Sequence, residues 1–254
     1  MNRKIAIVTG VSRLKGIGYA ICIELAKRNF DIFFTYWTTY DNQMPWKVGS
    51  DEPNQIQSEI LNLGVKCEKL ELNLALINSA ELLFNEVQDK LGQVSVLVNN
   101  ATYSIQTDIY NFSATELDKH YEINLKATTL LTIEFIKRFT LQKGGRVINL
   151  TSGQSLGEMC DEIAYAVTKG AVETLTKTIS QKIATKGITI NAVNPGPTDT
   201  GWMDENLTKI ILEKSPMGRI GTPKDASSLI AFLASDEAEW ITGQIIHSEG
   251  GFTR

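Results

Sequence analysis

Residues Lys4–Gly18 read KIAIVTGVSRLKGIG, and the interpretation of this stretch decides the fold. Lys4–Thr9 (KIAIVT) is a short apolar run without alternation, the pattern of a strand covered on both faces. Gly10, Gly16 and Gly18 follow it, and a helical stretch opens behind them. Glycine lets a backbone turn sharply and approach a phosphate closely, and the helix that follows presents unpaired N–H groups to an anion. Strand, glycine-rich turn and helix in that order point to a nucleotide-binding α/β unit. Taken alone, the same turn serves equally as a tight connection with no ligand.

Outward from this unit the pattern repeats. Asp31–Tyr36, Val65–Leu72, Ser95–Val98, Arg146–Leu150, Ile188–Val193 and Gln244–His247 are further short runs, rich in Val and Ile. Helical stretches with start signals lie between them: Ser113-x-x-Glu116 as a capping box, Asn78-x-x-Glu81 as a similar start, and Thr222-Pro223 as an N-cap followed by proline. Strands alternating with helices imply a parallel sheet with helices on both faces. No internal repeat or dividing linker is visible, so residues 1–254 read as one α/β domain. Trp37–Pro53 (WTTYDNQMPWKVGSDEP) stands apart, with no clear period and greater length than a usual connection. It reads either as a surface loop with packed aromatics or as a lid or partner surface near a cofactor.

Composition excludes several classes. The 25 basic and 29 acidic residues are well mixed and give a net charge of −4, which argues against nucleic-acid binding through clustered Lys and Arg. Cys22, Cys67 and Cys160 form no CxxC pair, and His120 and His247 lack ligand spacing, so no metal site is expected. No apolar run approaches the roughly 20 residues a bilayer span requires. A cytoplasmic protein that binds no membrane is the expectation.

Two further segments carry chemistry. Tyr165-Ala166-Val167-Thr168-Lys169 places a phenol and an ammonium one helical turn apart on the same face. A nearby ammonium favours the phenolate, so the pair suits proton exchange at neutral pH. A solvated helix face explains the same spacing. Ser152, in Leu150-Thr151-Ser152-Gly153, falls where a strand ends, at the carboxyl edge of the sheet where open α/β folds bind ligands. It is placed to hydrogen-bond a substrate oxygen or to close a turn.

With these segments in view, the chain from Lys4 to Phe252 resembles the short-chain dehydrogenase/reductase family. The Thr9-Gly10…Gly16-Ile17-Gly18 turn matches that family's cofactor turn, and Asn99-Asn100-Ala101 matches its NNAG motif. Ser152 precedes Tyr165 by 13 residues, the family's usual separation, and Asn124 sits where its fourth catalytic residue is expected. Pro195–Thr200, Pro216–Arg219 and Ile241–Gln244 match C-terminal motifs. The resemblance implies a single Rossmann-type, doubly wound sheet of seven parallel strands. It implies Tyr165 as general acid in ketone reduction, Lys169 holding the nicotinamide ribose and lowering the Tyr165 pKa, Ser152 binding the carbonyl oxygen, and Asn124 ordering a relay water. Around the cofactor it places Gly10, Ser12, Arg13, Gly16, Ile17, Gly18, Asn73, Leu74, Asn100, Ala101, Pro195, Gly196, Thr198 and Thr200, together with Tyr165 and Lys169. Beside the catalytic group it places Tyr103, Gln154, Met159 and Trp202.

Three departures from the family pattern stand out. Five residues separate Gly10 and Gly16 where the usual form has three, so Leu14-Lys15 reads as an insertion. That spacing resembles the enoyl reductases of fatty-acid synthesis, but those place six residues between Tyr and Lys, and here there are three. Carbonyl rather than C=C reduction is therefore expected. Thr102 replaces the glycine of NNAG, and Glu249 stands where Asp is common, a position that concerns structure. The second strand ends Thr35-Tyr36-Trp37 with no acidic residue before Asp41, while Arg13 and Lys15 lie in the glycine turn. A carboxylate at that strand end repels a 2′-phosphate and a guanidinium pairs with one, so NADP(H) is expected ahead of NAD(H). The motif spelling is most like 3-oxoacyl-(acyl carrier protein) reductases, with a carbonyl or acyl-thioester substrate. A sugar or polyol dehydrogenase and a non-catalytic cofactor-binding regulator are the alternatives. The two long helical stretches Ser113–Thr140 and Glu162–Lys186 fit a homotetramer or homodimer, and equally fit burial within one chain.

Overall fold

The computed structural model describes residues 3–44, 46, 49 and 51–253. Seven strands run in chain order: β1 (Ile5–Val8), β2 (Asp31–Tyr36), β3 (Cys67–Glu71), β4 (Val94–Asn99), β5 (Gly145–Leu150), β6 (Ile188–Asn194) and β7 (Ile245–His247). They form one sheet in the order β3-β2-β1-β4-β5-β6-β7, with every neighbouring pair parallel. The expected architecture holds, with strand ends moved by a residue or two. The expected strand Val65–Leu72 contracts most, because its ladder to β2 reaches only from Cys67 to Glu71.

The helices are α1 (Ile17–Lys27), α2 (Thr38–Asp41), α3 (Glu52–Leu61), α4 (Ser79–Lys90), α5 (Ala114–His120), α6 (Thr128–Arg138), α7 (Ile163–Ala184), α8 (Glu205–Glu213) and α9 (Pro223–Ala234). Alternation persists inside the buried strands. In β2, Ile32 and Phe34 join the core beneath α1, α3 and α9 with Ile21, Ile56 and Ile230. Phe33, between them, enters the opposite core with Leu83 of α4 and Leu131 and Phe135 of α6. Both faces of the central strands are covered, so β1, β2 and β4 read as largely apolar runs, while the edge strand β3 (CEKLE) is only partly buried.

Helix starts follow the sequence signals in part. The Ser113 hydroxyl accepts the Glu116 N–H at 3.2 Å, but the Glu116 carboxylate turns away to the Tyr103 hydroxyl and to Lys119. The expected capping box is therefore only half formed. Asn78 occupies the N-cap position of α4 without a side-chain cap. At α9 the Asp225 carboxylate accepts the Thr222 N–H at 2.8 Å and both terminal nitrogens of Arg219, each at 2.8 Å. The Pro216–Arg219 motif thus anchors a helix start.

The segment Trp37–Pro53 is not wholly irregular. α2 forms just after β2, and Glu52 and Pro53 already belong to α3. Pro45, Lys47, Val48 and Ser50 lie outside the described residues. Among the described residues, no helix is long and apolar enough to cross a membrane, and no group of three or more His, Cys, Asp or Glu could hold a metal ion.

Topology locates the site. From β1 the chain crosses to β2 on one side, while β4 flanks β1 on the other. At such a reversal the crossover helices diverge to opposite faces and leave a crevice outside the carboxyl ends of the strands.

Candidate active site

Four strand ends surround this crevice: Thr9-Gly10 after β1, Asn100-Ala101 after β4, Thr151-Ser152 after β5 and Pro195-Gly196 after β6. The first two are tied together. Thr9 Oγ1 accepts the N–H groups of Asn100 and Ala101 at 3.1 and 3.0 Å, and Asn100 Nδ2 donates to the carbonyls of Thr9 and Gly10 at 2.8 and 3.0 Å. The Asn100 amide donors are thus spent on shaping the glycine turn.

The turn has the form of a cradle for a dinucleotide. Gly10 has φ +73°, and a Cβ there would lie 2.6 Å from Ala101 Cα. A Cβ on Gly18 would lie 2.8 Å from Asn100 Nδ2, so α1 packs against the β4 loop only with glycine at this position. Gly16 is the N-cap of α1; no side chain caps the helix and its first turn holds no acidic residue. Such an end favours a phosphate. The insertion folds into a closed turn, with Gly16 N–H donating to the Arg13 carbonyl at 3.0 Å. Leu14 packs on the core while Lys15 stays exposed, so the two extra residues leave α1 in place.

Arg13 is engaged by the segment after β2. Its Nε lies 3.4 Å from Asp41 Oδ1, its guanidinium stacks 4.6 Å from the centroid of Trp46, and its Nη1 donates to the Thr200 carbonyl at 3.0 Å. Burial works against its charge, and Asp41 is the main group restoring it. Glu52 fastens the same region by accepting the Leu14 N–H at 2.8 Å. No acidic residue follows β2 directly in sequence, but Glu71, at the end of neighbouring β3, accepts a hydrogen bond from the Thr38 hydroxyl.

Tyr165, Ser152, Asn124 and Lys169 converge. The Tyr165 side chain is partly buried, and the Ser152 and Thr102 hydroxyls lie close enough to its phenol to favour the phenolate. Lys169 Nζ lies 5.5 Å from the Tyr165 ring centroid and donates to the Leu150 carbonyl at 2.8 Å. The expected lowering of the Tyr165 pKa does not prevail in this arrangement. Burial, reinforced by the charge of Glu162, pushes the phenol up, and the nearby Ser152 and Thr102 hydroxyls only partly offset it. Burial also pulls Lys169 down to about 8.

Asn124 lies on a π-helical turn, Tyr121–Ala127, which separates α5 from α6 within the expected long helix. Such turns are frequent at functional sites because the widened turn re-aims side chains. Its amide is fully used by protein: Nδ2 donates to the Tyr103 carbonyl (2.9 Å) and Thr168 Oγ1 (3.2 Å), while Oδ1 accepts from Tyr103 N–H (2.8 Å) and Thr102 Oγ1 (3.0 Å). An amide has two donors and two acceptor sites, so the side chain has nothing left to order the expected water.

Several expected contacts are directed elsewhere. Asn73 Oδ1 closes its own turn on Ala75 N–H at 3.0 Å, and Leu74 is buried in the core. Thr198 Oγ1 donates to the Gly196 carbonyl at 3.1 Å, and a Cβ on Gly196 would strike Glu249. Glu249 also accepts from Asn194 Nδ2 at 3.0 Å, in keeping with the structural part expected for it. Tyr103 is buried between Tyr40 and His120, with centroids at 5.4 and 4.8 Å. Gln154 turns inward, its Nε2 donating to Glu173 at 2.6 Å. Ser12, Ile17 and Pro195 stand on the crevice loops, with Ser12 buried.

Glu173 was not singled out by sequence. Its carboxylate also accepts from Thr151 and Ser155, so it braces the loop that carries Ser152. The signal was its place one turn beyond Lys169 on α7, which periodicity cannot distinguish from an ordinary helix position.

Comparisons with known proteins find similar oxidoreductases over nearly the whole chain. A family model described as Enoyl-(Acyl carrier protein) reductase matches residues 10–253. The uncharacterized oxidoreductase YjdA of Bacillus subtilis is 48% identical, over 100% of this chain and 98% of its own length. The 3-oxoacyl-[acyl-carrier-protein] reductase FabG of Staphylococcus epidermidis is 34% identical, over 99% of both chains. Among solved structures, the landomycin C-6 ketoreductase LanV with bound NADP and rabelomycin superposes with a TM-score of 0.85 at 28% identity, covering 98% of this chain and 96% of that one.

Proposed function

The chain belongs to the short-chain dehydrogenase/reductase family, and from that premise we propose that it reduces a carbonyl group, or oxidises the matching alcohol, with a nicotinamide cofactor. The observation that carries this reading is the convergence of Tyr165 and Lys169, its ammonium 5.5 Å from the phenol ring centroid, with Ser152 just beyond the end of β5. The bound nicotinamide would supply or accept the hydride. Ser152 donates a hydrogen bond to the substrate oxygen, and Tyr165 donates its proton to that oxygen as the carbonyl carbon becomes tetrahedral. Lys169 spends one of its three donors on Leu150 and keeps the others for the ribose and the developing phenolate.

A 3-oxoacyl thioester is the proposed substrate class, supported by the FabG relative and by the three-residue spacing between Tyr165 and Lys169. A ketone other than an acyl thioester is the second reading, favoured by the likeness to the ketoreductase LanV. Following NADPH oxidation with acetoacetyl thioesters, cyclic ketones and ketoses tests both. Activity on ketoses alone would overturn them in favour of a sugar or polyol enzyme, and absence of turnover on every class would favour a regulator. A homotetramer or homodimer is proposed for the assembly, and light scattering measures it.

NADP(H) is the proposed cofactor, because Arg13 and Lys15 bring positive charge to the turn and LanV was solved with NADP. Arg13 would exchange its Asp41 contact for the 2′-phosphate. Arg13→Ala is expected to reduce kcat/KM with NADPH by about 10-fold or more, the scale of a hydrogen-bonded charge pair, and that with NADH far less. A kcat/KM that is equal or higher with NADH in the unmodified protein would reverse this assignment.

A further inference from the structure

One buried carboxylate on the catalytic helix has no part in the chemistry so far. Glu173 is 7% exposed and lies one turn beyond Lys169 and two turns beyond Tyr165 on α7. Its Oε1 collects three side chains of the loop after β5: Thr151 Oγ1 at 3.2 Å, Gln154 Nε2 at 2.6 Å and Ser155 Oγ at 3.3 Å. Thr151 comes just before Ser152 in the chain, and Gln154 and Ser155 come just after it.

The direction of these bonds follows from the chemistry of the groups. A carboxylate oxygen accepts, so the loop donates on both sides of Ser152. The Gln154 amide has its nitrogen toward Glu173, which also explains why this side chain turns away from the crevice. Thr151 has one hydroxyl proton and two acceptors, Glu173 Oε1 and the Lys169 carbonyl at 3.3 Å. Both acceptors belong to α7, so the tie to that helix holds whichever is used. The Lys169 ammonium adds a further tie, to the Leu150 carbonyl at 2.8 Å. Ser152 is thus set between anchored neighbours, and the anchor is the helix that carries Tyr165 and Lys169. An apolar side chain at position 173 would leave the Gln154 amide and the Ser155 hydroxyl without this acceptor.

We propose that Glu173 is a positioning residue of the reaction, which acts through Ser152 by holding it in place relative to Tyr165 and Lys169. The proposal rests on Ser152 binding the substrate oxygen. Two groups that act on one oxygen atom must keep a fixed separation, and one of them stands on a loop. Glu173 makes that loop part of the helix carrying the other. A misplacement of about 1 Å in such a group costs on the order of 100-fold in rate.

The test is a double-mutant cycle with Ser152, read alongside amide hydrogen exchange. Glu173→Leu keeps the bulk and removes the acceptor, while Glu173→Gln keeps a carbonyl for the Gln154 amide. With NADPH and acetoacetyl thioester, Glu173→Leu is expected to lose about 10- to 100-fold in kcat, with NADPH affinity by fluorescence titration unchanged within about twofold. Glu173→Gln is expected to recover most of that loss. In a Ser152→Ala background the same Glu173→Leu change is expected to cost less than about threefold, because the group it acts through is gone. Exchange over residues 151–156 is expected to quicken in Glu173→Leu, with β1 and β4 unaltered. An unchanged kcat in Glu173→Leu, or an equal fold-loss in both backgrounds, overturns the proposal. Should Glu173→Leu not fold, Gln154→Met removes the shortest of the three bonds from the loop side and enters the same cycle. If Ser152→Ala keeps the kcat of the unmodified protein, the reading of Ser152 as the group on the substrate oxygen is what fails. Faster exchange over 151–156 then still upholds the tie to α7, and unaltered exchange overturns it as well.

Discussion

Tyr165→Phe is expected to lower kcat by about 10²–10⁴-fold on the best carbonyl substrate, the range typical of a lost general acid, with cofactor affinity nearly intact. The ring remains and keeps its packing on α7, while the one atom removed is the hydroxyl that Ser152 and Thr102 meet. Burial holds this phenol above its ordinary pKa, so without further help it is a poor source of protons at neutral pH. Ser152, Thr102 and Lys169 matter because each favours the phenolate that follows proton release. Steady-state turnover and a calorimetric cofactor titration on the same preparation separate the two effects. A variant that keeps near-normal kcat would show that the acid is another group.

Lys169→Met is expected to make the protein more stable and nearly inactive. The ammonium is almost wholly buried, its one observed hydrogen bond goes to the Leu150 carbonyl, and burial alone sets its shift to about 8 from the ordinary 10.5. The interval corresponds to about 3 kcal/mol between the charged and neutral forms. Because the folded value lies below the unfolded one, the unfolded chain binds more protons between pH 8 and 10.5, and this group's contribution to stability rises with pH across that window. At neutral pH the folded protein carries the cost of the charge. Methionine has similar length and no charge, so a gain of about 1–3 kcal/mol is expected, or several degrees in Tm. Denaturant titrations at pH 7 and pH 10 measure it, and the stability advantage of the variant should shrink at the higher pH. An advantage that is absent at pH 7, or that grows with pH, would contradict this account. Ground-state stability is here traded for a charge the reaction uses, as active sites commonly do.

Sequence alone determined a good deal. A strand buried on both faces is written largely in apolar residues, so β1, β2 and β4 were legible, β2 to the residue, whereas the edge strand β3 reads CEKLE and is only partly buried. Gly10 and Gly18 were legible because backbone approach leaves no room for a Cβ, a constraint that survives whatever the neighbours are. The roles of Ser152, Tyr165 and Lys169 were legible only through the resemblance to a known family, because the spacing of Tyr165 and Lys169 by itself fits a solvated helix face equally well. Tertiary structure decided what each polar group spends its hydrogen bonds on. Asn124 had every amide position taken by Tyr103, Thr168 and Thr102, residues 21, 44 and 22 positions away in the chain. Arg13 met Asp41 and Trp46 from the segment after β2, and Gln154 turned inward to Glu173. A side chain's type and place in a motif give its capacity to donate and accept. Its partners come from other strands, helices and loops, and only packing of the sheet and its two layers brings them within reach.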